Sequence, residues 1–278
     1  MRLDLFCLLS LVVTVTLGGC SVPPIQQEGG ASTKCAVVVA HRAGAREAAV
    51  PDNSLAAIEA AVSDGLDILE VDVRWSADGK SFLFHDRRLP GAPWHVPSQL
   101  IGQPLSSLAA ADLERICAPS SQQSCLLPFS TALDSLGRET TALQVDLKGK
   151  ASRTEVVQIV SDIQRRELSE RVILFCDPLA ECELVRDVTS VIRIMARVHE
   201  ENDLTKLLTK PPWAVQVDEN MLGHQLLADL RKNGVLVMVK TLDDAGDTVE
   251  HWSLLRKKGV DLVLTDYPRA ARRTLCPQ

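Results

Sequence analysis

The sequence predicts an α/β protein built as a closed (β/α)8 barrel. Three observations carry that reading. Eight short β-rich runs recur along the chain. Most are continuously apolar rather than alternating, as strands buried on both faces require. Helical patterns separate them, and parallel neighbours need such crossovers. The length of 278 residues also suits one barrel domain of about 250 residues.

In chain order the expected strands are 36–40, 67–73, 142–147, 172–176, 191–195, 214–217, 235–239 and 261–264. The clearest helices are 53–64, 153–166, 223–232 and 245–258, and the weakest is the short stretch 200–210. A ninth β-rich run, 81–85, follows the second strand too closely for a crossover helix. Asp78-Gly79 between the two runs signals a two-residue hairpin. With those two residues as the turn, Ala77 pairs with Lys80 and Asp72 faces His85. Residues 90–127 break the rhythm with Pro90, Pro93, Pro97, Pro104 and Pro119, and carry Trp94, His95, Cys117 and Cys125. They are expected to form a small insertion above the C-terminal mouth of the barrel, where insertions shape access.

The N-terminus reads as a targeting segment outside the fold. Arg2 precedes an apolar run over 5–17, too short to span a bilayer, and Leu17-Gly18-Gly19-Cys20 follows. Residues 1–20 resemble a bacterial lipoprotein signal with Cys20 as the lipidated residue; a plain secretory signal is the alternative. Either way the protein is expected in the cell envelope, the lipid placing it at a membrane surface on the periplasmic or extracellular face. Residues 21–34 are rich in Pro, Gly, Gln and Ser and read as a flexible tether. The barrel domain is then 35–278. Setting Cys7 and Cys20 aside leaves six cysteines, an even number in an oxidising compartment. Loop lengths favour Cys117–Cys125 and Cys176–Cys182, which leaves Cys35 and Cys276 to close the ends of the domain. Hydrophobic residues make up 46% of the chain, enough for a core without crosslinks. A net charge of −6 with no basic tract argues against nucleic acid as a partner. A small phosphorylated substrate needs only local positive charge.

The chemistry collects at strand ends, where barrel enzymes keep their working groups. His41-Arg42 follows the first strand. Glu70 and Asp72 lie toward the end of the second and, two apart, share one face. Asp146 and Lys148 end the third, Asp218 the sixth, Lys240 the seventh and Thr265-Asp266 the eighth. Two carboxylates so close would repel unless a cation lay between them. Oxygen-only ligation by Glu70, Asp72 and Asp146 favours Mg²⁺ or Ca²⁺ over zinc. His41 and His85 are candidate acid and base, and Arg42 and Lys148 could neutralise a phosphoryl oxygen. The four other histidines read as structural.

At these residues the sequence resembles the glycerophosphodiester phosphodiesterase family. The motif residues are His41-Arg42-Ala43-Gly44, Pro51-Asp52-Asn53-Ser54, Glu70-Val71-Asp72 and His85-Asp86, followed by Leu127-Pro128, Asp146-Leu147-Lys148, Gly259-Val260-Asp261 and Thr265-Asp266-Tyr267-Pro268. The resemblance implies a TIM-barrel fold and metal-dependent hydrolysis of glycerophosphodiesters to glycerol 3-phosphate and an alcohol. It implies His41 and His85 as the catalytic pair, Arg42 and Lys148 on the phosphoryl group, and Glu70, Asp72 and Asp146 on the metal. Ala43 departs from the family glycine, and no carboxylate stands near Thr131. Lys240-Thr241-Leu242-Asp243 replaces Trp-Thr-Val-Asn, so Lys240 is expected to bind a more polar or anionic part of the substrate, or a different head group. Two other readings fit the same residues: a phospholipase-D-like or other phosphodiesterase on lysolipid or cyclic phosphate substrates, and a non-catalytic surface-binding lipoprotein.

Overall fold

The computed structural model describes residues 35–91, 94–118, 125–137 and 140–276. The expected signal, Cys20 and the tether lie outside these residues, as do parts of the 90–127 segment.

Eight parallel strands close into a barrel: β1 (Val37–Ala40), β2 (Ile68–Trp75), β5 (Ala142–Leu147), β6 (Val172–Cys176), β7 (Arg193–Arg197), β8 (Ala214–Gln216), β9 (Leu236–Lys240) and β10 (Leu262–Thr265). β1 pairs with both β10 and β2, which closes the ring. Helices follow the strands, as the patterning predicted. Leu55–Ser63 is capped by the Ser54 side chain, and Arg153–Gln164 carries a Ser152–Glu155 capping box. The weakest expected helix forms as Glu201–Leu207 because Glu200 and Asp203 cap each other's backbone.

Alternation along the strands sorts the core. Val39, Ile68, Ile173, Met195, Met238, Leu262 and Leu264 belong to one buried cluster that fills the barrel. Val38, Leu69, Val71, Val145, Leu174, Val215 and Val263 face the helices in a second. β7 begins two residues later than expected. Val191 is 59% exposed and stays outside, while the strand runs on to Arg197.

The hairpin register differs from the expectation. β2 pairs with β3 (Ser81–Leu83) through Trp75↔Ser81, Arg74↔Phe82 and Val73↔Leu83. The turn therefore holds three residues, Ala77-Asp78-Gly79, with Gly79 at φ 78°. Ser76 N–H donates to the Lys80 carbonyl at 2.8 Å, and Phe84 N–H to the Asp72 carbonyl at 2.9 Å. Asp72 thus faces Phe84, not His85. The insertion favours this slip: Ala77 N–H donates to the Leu108 carbonyl at 2.8 Å, and Asp78 accepts from Ala110 N–H at 2.9 Å. A third antiparallel strand, β4 (Leu127–Pro128), pairs with β3. The insertion has its own buried core of Phe82, Phe84, Leu89, Trp94, Leu113, Ile116 and their neighbours.

All three expected disulfides form: Cys35–Cys276, Cys117–Cys125 and Cys176–Cys182. Just beyond β6, Glu181 is buried at 6% exposure, and its Oε2 has no hydrogen-bond partner. Burial pushes its carboxyl up to about 7. A carboxyl with a raised folded value gives stability that is present below the unfolded value near 4.5 and lost as pH rises through about 7. Glu181→Gln should therefore be close to neutral at pH 4.5. At pH 8 it should stabilise by about 2 kcal/mol, after discount for partial solvation. Denaturant unfolding at the two pH values checks this; equal effects at both would refute it.

Candidate active site

The site is assembled by strand ends and by the two loops that follow β1. After β1 the chain turns sharply through His41–Gly44, with Arg42, Ala43 and Gly44 all at positive φ (48°, 61° and 72°). Ala43 thus occupies a left-handed position where the family has glycine, a strain of roughly 1 kcal/mol. The turn aims Arg42 N–H at Glu70 Oε2, 2.8 Å away. Asn53, also left-handed at φ 55°, clamps the next carboxylate from both sides. Its Nδ2 donates to Asp72 Oδ2 at 2.8 Å, and its Oδ1 accepts from Asp72 N–H at 3.0 Å.

Glu70, Asp72 and Asp146 converge inside the mouth, each with one carboxylate oxygen within 4.8 Å of the others. Register explains this: Asp72 pairs directly with Asp146, and Glu70 sits one inward position below. Lys148 Nζ reaches Asp146 Oδ2 at 2.6 Å and stands 3.0 Å from Asp72 Oδ1. The second approach is an ion pair without hydrogen-bond alignment, so Asp72 Oδ1 remains a buried oxygen with no hydrogen-bond partner. Gln144 Oε1, level with Glu70 on β5, is also buried and unpartnered. Burial, then the charges of Asp72 and Asp146, hold Glu70 well above the usual carboxylate range. Burial also raises Asp146 against the pull of Lys148. Burial works the same way on Asp72, but Lys148 and the Asn53 amide outweigh it and hold it low. Lys148 is held up by Asp146 and Asp72 against its own burial. A carboxylate-rich, oxygen-only donor set with unpartnered buried oxygens fits a hard divalent cation.

The histidines flank this cluster. His41 Nδ1 lies 2.7 Å from Asp266 Oδ1, contributed by the loop after β10. Burial would raise Asp266, but the hydrogen bond and charge of His41 prevail and hold it low. It is therefore an acceptor-only carboxylate. Asp266 is itself held by Asp247, which accepts its N–H at 2.9 Å and the Thr265 hydroxyl at 2.6 Å. His85 lies within electrostatic reach of Asp72 and Asp146. Its Nδ1 is 2.9 Å from Asp86 Oδ1, and Arg74 donates twice to its carbonyl, at 2.9 and 2.7 Å. Arg42 Nη1 donates to Asp52 at 2.5 Å, and its Nε is buried without a hydrogen bond.

Seven of the eight residues given a role from the sequence thus gather at one barrel mouth. Lys240 stands apart from the carboxylates, exposed at the end of β9 and within reach of Asp218. Of the residues that orient the site, Asp266 stood among the strand-end candidates and Asp52, Asn53 and Asp86 within the motifs, all without an assigned role, and Arg74 was not singled out. For Arg74 a signal existed, since Glu70, Asp72 and Arg74 alternate on one face of one strand.

The model of the glycerophosphoryl diester phosphodiesterase family matches residues 41–270. The chain belongs to that family. It is a phosphoric diester hydrolase. A likeness over nearly the whole length also appears among curated proteins. An uncharacterized protein of Mycobacterium tuberculosis is 26% identical, covering 95% of this chain and 97% of its own. Among solved structures, a phosphodiesterase of Oleispira antarctica in complex with the product sn-glycerol-3-phosphate has a TM-score of 0.74 at 18% identity, covering 87% of this chain and 97% of its own. A candidate glycerophosphodiester phosphodiesterase of Galdieria sulphuraria has a TM-score of 0.76 at 17% identity, covering 86% and 97%. At these identities the likeness speaks for the barrel, and the site rests on this chain's own side chains.

Proposed function

We propose that this family member hydrolyses glycerophosphodiesters to glycerol 3-phosphate and an alcohol, with a divalent cation held by Glu70, Asp72 and Asp146 and with His41 and His85 as the acid/base pair. The observation that carries the reading is the convergence of three carboxylates, two buried and one partly buried, with two carboxylate-bound histidines and two cations at one barrel mouth. When bound, the cation would supply Lewis-acid polarisation of the phosphoryl group, and Mg²⁺ or Ca²⁺ suits the donors. The chain's own groups account for the rest. Nδ1 of each histidine is engaged by Asp266 or Asp86, which leaves Nε2 for proton transfer to or from the substrate. One histidine takes the proton of the attacking hydroxyl, and the other returns a proton to the leaving alcohol. Arg42 and Lys148 bring positive charge to the phosphoryl oxygens. Lys240, on another part of the rim, is placed to meet a polar or anionic substituent of the substrate.

We also place the protein at the envelope surface, anchored through lipid on Cys20. The apolar 5–17 run ending at Cys20 and the three disulfides in the barrel domain support export to an oxidising compartment. One experiment addresses both. Full-length protein should partition with membranes, and in Mg²⁺ or Ca²⁺ it should release glycerol 3-phosphate from several glycerophosphodiesters. Release of free glycerol and an alcohol phosphate, or no turnover at all, would overturn the reaction. Equal membrane binding by Cys20→Ala would overturn the anchor.

A further inference from the structure

A cavity of about 270 Å³ opens beside the proposed reaction centre, between the loops after β1 and the insertion. Its lining includes Arg42, Asn53 and His85 together with Phe84, Trp94, Val50 and Pro90. Neither Lys148 nor Lys240 is among its lining residues. The carboxylates on its wall are already engaged: Asp52 with Arg42, and Asp86 with His85. The rest of the wall, beyond Arg42, His85 and the Asn53 that clamps Asp72, is apolar: Val50, Pro51, Phe84, Pro90 and Trp94. Phe84 and Trp94 are buried at 5% and 8% exposure and meet edge to face, with ring centroids 6.2 Å apart. Both belong to the buried core that the hairpin shares with the insertion.

We propose that this cavity is the leaving-alcohol subsite and that it selects diesters whose alcohol carries an apolar chain beside the phosphate. The inference rests on the phosphodiesterase reading and deepens it. Because His85 lines the cavity, an alcohol seated there has its ester oxygen next to the free Nε2, which makes His85 the acid. In net hydrolysis the oxygen of water bonds to phosphorus as the bond from phosphorus to the alcohol oxygen breaks; His41 takes the water's proton and His85 gives its own to the departing alcohol oxygen. The cavity holds about nine groups of the size of a water or methylene, at about 30 Å³ each. A medium-length alkyl chain fills it. A quaternary ammonium head would need an unengaged carboxylate or an open aromatic face.

The test is a series of glycerophospho-n-alkanols from ethyl to decyl, with glycerophosphocholine alongside, assayed on the cation-loaded full chain by release of glycerol 3-phosphate. kcat/KM should rise by up to about fourfold per methylene over the first several carbons and then level off. Val50→Phe, which narrows the cavity without touching the insertion core, should move the plateau to a shorter chain. Trp94→Ala should flatten the rise. A flat series with measurable turnover, a plateau unmoved in Val50→Phe, or a preference for the choline diester over the octyl diester would overturn the subsite. Absence of turnover on every member would overturn the phosphodiesterase reading with it.

Discussion

Alanine in place of either His41 or His85 should cost about 10²–10⁴ in turnover, the usual loss on removing a general acid or base. Both variants should stay folded, because neither ring belongs to a hydrophobic core cluster. Both should also keep nearly full cation affinity, because among the described residues the clustered ligand atoms come from Glu70, Asp72 and Asp146. The double variant should be little worse than the worse single, since groups that act as a unit are not additive. Wild-type turnover should follow a bell-shaped pH profile. Asp266→Asn makes a finer test. It replaces an acceptor-only carboxylate at His41 Nδ1 with an amide that can also present N–H, and so weakens the tautomer with its lone pair on Nε2. It should lower turnover by less than His41→Ala while cation binding is unchanged. A single histidine variant that kept more than about a tenth of wild-type turnover would remove that residue from the mechanism and favour a binding role for the protein.

Removal of the divalent cation should abolish activity, and Glu70→Ala should make the loss permanent. A strong chelator is expected to silence the wild type, with Mg²⁺ or Ca²⁺ restoring it, because Lewis-acid stabilisation of phosphoryl transfer is worth several kcal/mol. Titration calorimetry gives a readout independent of turnover. Wild type should bind one ion, and Glu70→Ala should bind neither. The reason is electrostatic. Glu70 is only 3% exposed, and burial with two nearby carboxylates makes its ionised form costly unless positive charge is supplied. Lys148 already answers Asp146 and Asp72, which leaves Glu70 with the Arg42 N–H. Full activity in excess chelator would end the assignment.

Much of this protein is written in local sequence. Short, continuous apolar runs such as Val172–Cys176 read as strands covered on both sides, and eight β-rich runs with helical spacers point to a parallel barrel. Because the working face of a barrel lies at its strand ends, polar breaks such as His41-Arg42, Glu70-Val71-Asp72 and Asp146-Leu147-Lys148 disclose the site before any contact is known. The short cysteine spacings, six residues for Cys176–Cys182 and eight for Cys117–Cys125, are likewise local. Tertiary structure decided what depends on distant partners. The hairpin slipped by one residue because Ala77 and Asp78 bond to Leu108 and Ala110 of the insertion, contacts that no reading of the Asp78-Gly79 turn contains. His41 gains its orienting carboxylate from Asp266, 225 residues away, and only closure of β1 against β10 brings the two together. Asn53 meets Asp72 because the turn at Arg42–Gly44 folds back over the end of β2. The cavity exists only because Phe84 of the hairpin and Trp94 of the insertion share a lining with Val50 from another loop, and the depth and chemistry of such a space are properties of surfaces that meet, not of the segments that supply them.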